Sequence, residues 1–134
     1  MEPRSARLDL SHDAGAPRAA RRFVTSMLAG WGAPAEAIER AELLVSEVVS
    51  NAVLHGGSGP VQLTMLETAQ GGPYRIEVRN QGGVEPVMRR AERDHLSGRG
   101  LQLVDHLSVS WGSRSASDQT TVWFEISATP MDGR

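Results

Sequence analysis

The sequence predicts an α+β fold: a two-layer sandwich, mostly antiparallel sheet with helices packed on one face. Three observations predict it. Two long stretches with helical spacing lie side by side in the first half of the chain. The strand-like stretches come in pairs, VQLTMLE with YRIEVRN and SVSWGSR with TTVWFEIS, each pair joined by a short polar link. Strands grouped in hairpins, with helices elsewhere, favour an antiparallel sheet covered on one face. Finally, 134 residues at 40% apolar content supply one core, not two. A single domain over 1–134, with a core at about 8–128 and loose ends, is therefore expected.

Taken in order, residues 1–6 are polar, and RLDL (7–10) reads as a short edge strand. In APRAARRFVTSMLAGWG (16–32), Ala19, Phe23, Met27 and Leu28 recur at helical spacing before Gly30 and Gly32. Pro34 suits the first turn of a second helix, which runs to about His55 and stops at Gly56-Gly57. GGSGP (56–60) is a clear break. The first hairpin follows, with TAQGGP as its link. Residues 81–97 have no apolar period, two glycines, a proline and many charges. A loop of that length in a small domain is usually functional. GRGLQLVDHL (98–107) reads as a short helix opening after glycine, and the second hairpin turns at SASDQ.

Composition excludes several classes. Net charge is −2, which gives no general field for nucleic acid. There are no cysteines, hence no disulfide, thiolate nucleophile or cysteine metal site. No apolar run approaches a membrane span, and MEPRSARLDLSHDAG lacks the apolar centre of a signal peptide. A cytoplasmic protein is expected.

The stretch SEVVSNAVLHGG (46–57) carries the chemistry. Advancing by about 100° per residue places Ala41, Leu44, Val45, Val48 and Ala52 on one apolar arc. Glu47, Asn51 and His55, four apart, form a polar stripe at its edge, where Asn51 and His55 overlap the arc. Glu39, Glu42, Ser46 and Ser50 take the far side, where water can reach them. Two glycine motifs follow. NQGG (80–83) ends a strand, and GRG (98–100) opens a helix. Glycine admits close backbone approach, and a helix N-terminus suits phosphate. Each feature also has a plain structural reading. Glu47 can pair with Arg40, Asn51 can cap a loop, His55 can be a satisfied boundary histidine, and GRG can be a turn.

Together, and in this order, the features resemble the GHKL ATPase superfamily, which includes DNA gyrase and sensor histidine kinases. Its N box, E-x-x-x-N-A, is matched by Glu47-Val-Val-Ser-Asn51-Ala52. Its first glycine box, D-x-G, is matched by Asn80-Gln81-Gly82, and its second, G-x-G, by Gly98-Arg99-Gly100. Residues 83–97 look like a short ATP lid. SEVVSNAVLHGG, SGRGLQLV and VWFEI look most like the small stand-alone branch of anti-sigma factor serine kinases, to which many actinobacterial regulators belong.

The resemblance implies a Bergerat-type ATP-binding fold with ATP and Mg²⁺ as cofactors. It implies that Asn51 binds Mg²⁺ through its side-chain oxygen and that Glu47 is the catalytic base. Magnesium takes oxygen ligands and keeps several waters, so one amide plus phosphates can hold it. His55 would orient the lid or a phosphate. Gly82, Gly98, Gly100 and the Leu101 amide would line the nucleotide, with Arg99 or Arg93 neutralising charge. The family's adenine-reading aspartate is Asn80 here. A neutral amide acceptor is weaker than a carboxylate by roughly 1 kcal/mol, which lowers affinity about tenfold.

The expected activity is that of a serine/threonine protein kinase acting on a STAS-domain anti-anti-sigma protein, within an anti-sigma regulator of transcription. A sigma factor and a homodimer are further implied partners, with no direct nucleic acid and no membrane. The rival is a non-catalytic binding module of the same fold, which Asn80 favours. A plain nucleotide hydrolase would need a transducer domain, and a histidine kinase would need a preceding phosphoacceptor helix; neither is expected.

Overall fold

Ala20, Val24 and Leu28, spaced four apart, are all fully buried. They form the inner stripe of α1 (Ala16–Gly30). The computed structural model describes residues 3–57, 59–81, 108–116 and 118–128. Pro17 lies in the first turn of α1, where its missing N–H loses no partner. The chain reverses at Gly32, whose φ of +83° lies in the left-handed region that glycine enters freely. The second helix, α2 (Ala35–His55), begins one residue later than the sequence suggests: Pro34 is its N-cap, in extended conformation.

Five strands complete the fold: β1 (Ser5–Leu10), β2 (Val61–Glu67), β3 (Tyr74–Gln81), β4 (Ser110–Ala116) and β5 (Gln119–Ile126). They form one antiparallel sheet in the order β1-β2-β3-β5-β4. The expected edge strand is present, starting at Ser5, and both expected hairpins form. Gln81, expected to open the long loop, still pairs with Gln119 at the end of β3. The remainder of that loop and the expected helix at 98–107 lie outside the described residues.

Alternation along the strands puts one row after another against the helices. Ala6, Met65, Ile76 and Phe124 lie in register, then Leu8, Leu63, Val78 and Val122, then Leu10, Val61, Asn80 and Thr120. Both helices cover this face, and the core lies between the layers. The buried arc of α2 differs from the expected one. Val49 and Ala37 join it, while Ala52 is only half-buried. Ser46, expected in water, accepts a hydrogen bond from Arg21 Nη1 at 2.8 Å. The cause is α1, which packs alongside α2 and widens its covered surface.

The outer face of the sheet is polar but ordered. Arg75 bonds Glu77 at 2.7 Å and Glu125 at 3.0 Å, and its guanidinium stacks on Trp123 at 4.0 Å. The indole lies across β4 at Gly112, where a Cβ would come within 2.8 Å of it.

One end of the sheet is closed by charge. Glu67, buried at 3% exposure, accepts from Arg4 Nε at 3.0 Å, Arg4 Nη2 at 2.9 Å and the Gly71 N–H at 3.1 Å. Arg4 also donates to the Trp31 carbonyl at 2.9 Å. The Arg4 hydrogen bond, aided by Gly71 and opposed by burial, holds the Glu67 carboxyl down at about 2, against an ordinary 4.5. A depressed carboxyl contributes stability above its unfolded value and loses it as pH falls toward the folded one. Denaturant midpoints measured across pH should therefore drop between about 4.5 and 2. Glu67→Gln should flatten that part of the profile; an unchanged profile would show that the cluster carries no linkage.

Candidate functional site

The other end of the sheet is open. Along the inner face, the apolar row of Val78 and Val122 is followed by Asn80 and Thr120, which face each other in register. Along α2, Val48 is followed one turn later by Asn51 and Ala52. Apolar cover thus stops at the same level in both layers. A small cleft opens there, lined by Val48, Asn51, Ala52, His55, Gly56, Val78, Asn80, Thr120 and Val122. The helix end above it is anchored twice. Gly56 N–H donates to the Ala52 carbonyl at 2.9 Å, and His12 Nε2 donates to the Val53 carbonyl at 2.9 Å.

One buried polar atom of the cleft is left unsatisfied by the described fold, whereas the Thr120 hydroxyl lies 3.4 Å from the Ser115 hydroxyl. Asn51 is 6% exposed, yet its Oδ1 has no hydrogen-bond partner among the described residues. An orphaned buried acceptor costs roughly 1–3 kcal/mol, and native structures hold few of them. Asn80 is equally buried, and its side chain makes no hydrogen bond to another described residue. The described residues contain no cluster of three His, Cys, Asp or Glu that could hold a metal by itself. A lone hard oxygen in a buried position does fit a cation that brings its own waters and phosphates. The Asn80–Thr120 row, above the Val78 and Val122 side chains, offers hydrogen bonds at the edge of an apolar floor. That combination suits a flat ring with a polar rim.

Of the residues singled out in the sequence, Asn51, His55 and Asn80 meet in this cleft. His55 is exposed at its mouth rather than merged with the apolar arc, because it is the last residue of α2. Glu47 is half-buried and does not line the cleft. It forms no ion pair or hydrogen bond with a described residue. The alternative partner, Arg40, instead donates to the Ser127 carbonyl at 2.8 Å and lies 3.9 Å from Glu36. Gly82, Arg93, Gly98, Arg99, Gly100 and Leu101 lie outside the described residues. Two lining residues escape the sequence reading. Thr120 was findable, since it shares the inner-face alternation with Val122, Phe124 and Ile126. Gly56 reads in the sequence only as a helix stop. A hollow of about 420 Å³ opens on the far side of the β3 end, lined by Asp9, Pro60, Gln62, Arg79, Asn80, Gln81 and Gln119. Apart from Asn80, which lines both spaces, its polar groups are exposed or half-buried, so nothing there demands a ligand.

A family model described as "Histidine kinase-like ATPase domain" matches residues 10–126. Among solved structures, the chain is similar to the RsbU and RsbW domains of Rv1364c from Mycobacterium tuberculosis, with a TM-score of 0.72 and 21% identity. The match covers 92% of this chain and 32% of that one, so the chain spans about a third of its length. At that identity the likeness concerns the fold alone. No curated protein matches the chain.

The orphaned oxygen has a measurable consequence. Asn51→Leu keeps the side chain's branched shape, adds bulk toward the open cleft and removes the unpaired acceptor. It should stabilise the ligand-free protein by about 1–3 kcal/mol in denaturant titrations. A loss of stability would mean that the amide is bonded in the fold.

Proposed function

The chain belongs to the histidine kinase-like ATPase domain family, and from that premise we propose that residues 8–128 form one ATP-binding domain with its nucleotide in the cleft at the end of α2. The observation that carries this reading is the buried, unpartnered Asn51 Oδ1. It is a buried oxygen, among the cleft residues, that the described part of the fold leaves without a donor. On this reading the base lies along the Asn80–Thr120 row, and the metal side faces Asn51. Asn51 would hold Mg²⁺ through Oδ1, and the ion would supply charge neutralisation for the phosphates. Gly82, Gly98, Arg99, Gly100 and Leu101 are the proposed nucleotide contacts on the segment outside the described residues.

The finer proposal is a serine/threonine protein kinase in an anti-sigma regulator. Its substrate would be a serine hydroxyl on a STAS-domain anti-anti-sigma protein, with a sigma factor as the second partner and a homodimer as the working form. Glu47 would take the proton of that hydroxyl. Its position supports the role: a half-buried carboxylate one turn from Asn51, with no internal partner among the described residues. His55, at the cleft mouth, would hold the phosphate end. No helix among the described residues is long and apolar enough to cross a membrane, which supports placing the regulator in the cytoplasm.

One observation favours a second reading, a protein-binding module with weakened nucleotide binding. Asn80 supplies a neutral acceptor where the family pattern has a carboxylate, a difference of about tenfold in affinity.

Two substitutions separate the readings. Asn51→Ala should abolish the magnesium-dependent part of ATP affinity measured by calorimetry, with cooperative unfolding preserved. Glu47→Ala should bind ATP almost as the parent does but transfer phosphate to a STAS partner about 10²–10⁴-fold more slowly. A parent that binds ATP and never transfers it would replace the kinase reading with the binding module.

A further inference from the structure

Gly56 is glycine for want of space, not for backbone freedom. Its φ of −83° and ψ of 177° form an extended conformation open to any residue. A Cβ there would run into the Asn80 amide nitrogen and the Ala52 carbonyl oxygen, and would come within 2.9 Å of Asn80 Cγ. The carbonyl cannot retreat alone, because it accepts the Gly56 N–H at 2.9 Å. A side chain at this position must therefore shift the backbone at the end of α2 as well as Asn80.

The contact also orients the amide. The Asn80 nitrogen lies closer to the Gly56 Cβ position than its Cγ does, so the NH₂ group faces Gly56 and the end of α2. That end carries a partial negative charge, although its Ala52 and Val53 carbonyls already accept from Gly56 and His12. An asparagine is ambiguous by itself, since half a turn exchanges its donor and its acceptor. Here half a turn would aim Oδ1 at the helix carbonyls, acceptor against acceptor.

We propose that Gly56 is a positioning residue that determines base specificity: by admitting the Asn80 NH₂ against the end of α2, it leaves Oδ1 as the acceptor offered to the cleft. This rests on the reading of the cleft as a nucleotide site. The amide then acts as a neutral substitute for a carboxylate. It accepts a hydrogen bond from an exocyclic amino group, as on a 6-aminopurine. A 6-oxopurine presents an oxygen to the same oxygen and is rejected. Thr120, directly across the ladder, supplies a hydroxyl that can donate to the adjacent ring nitrogen.

The test compares ATP with inosine triphosphate, which replaces the 6-amino group by a carbonyl. Binding is measured by calorimetry with Mg²⁺ for the parent and for Gly56→Ala, with folding checked by thermal melts. The parent should prefer ATP by about tenfold or more, the size expected when a buried acceptor must otherwise face another. Gly56→Ala should bring the two affinities to within about threefold. A folded Gly56→Ala that keeps the parent's ratio overturns the proposal. So does a parent that binds both nucleotides equally, which leaves the nucleotide reading standing. A parent that binds neither overturns both. Should Gly56→Ala not fold, NMR of the parent decides the orientation. Cross-relaxation between the Asn80 amide protons and the Gly56 α-protons supports the proposal, and its absence sinks it.

Discussion

The candidate site depends on one constraint: α2 runs out of apolar side chains at the level where the sheet does. Val48 packs over the row of Val78 and Val122, and beyond it the helix offers Asn51 while the sheet offers Asn80 and Thr120. Neither change alone would make a cleft. A polar helix turn over an apolar row would strand the amide, and an apolar turn over a polar row would strand the threonine. Matched in level, the two form a recess whose floor is dry and whose rim can bond.

The two ends of the sheet resolve the same problem in opposite ways. At the Glu67 end, a buried carboxylate receives three hydrogen bonds from Arg4 and Gly71, and Arg4 is held in turn by Trp31. That network is closed, and its strength is visible in the depressed carboxyl. At the α2 end, Asn51 Oδ1 is buried with nothing to accept from. Proteins leave few buried acceptors unpaired, and each one asks for an outside partner. The contrast within one small sheet locates the functional end more firmly than the volume of the cleft does.

Most of the fold was legible because its signals are local. Period-two alternation names the face of each strand residue, and paired strands with short links name the hairpins. Sheet order was not legible. Alternation says which face Phe124 takes, but not that β5 rather than β4 lies against β3. The widened buried arc of α2, with Val49 inside and Ser46 bonded to Arg21, depends on where α1 packs, which no periodicity within α2 can give. At the site, Asn51, His55 and Asn80 were found through the spacing of motifs. Gly56 was not, since its role is to leave space for a side chain on another element.

Asn80 weighs less against catalysis than the loss of a charged acceptor first suggests. The Asn80–Thr120 row and the Asn51–Glu47 turn are separate contact sets, one on the sheet and one on α2. A weaker bond to the base lowers the affinity of the ground state and the transition state alike. Such uniform losses raise KM and leave kcat in place. On the proposed reading, chemistry fails only if the turn carrying Glu47 fails. Glu47, the proposed base, is half-buried and outside the residues that line the recess, on a helix whose Leu43 and Leu54 are exposed. A base that serves a hydroxyl arriving on another protein has to stand where the partner can reach it, and not among the groups that hold the nucleotide.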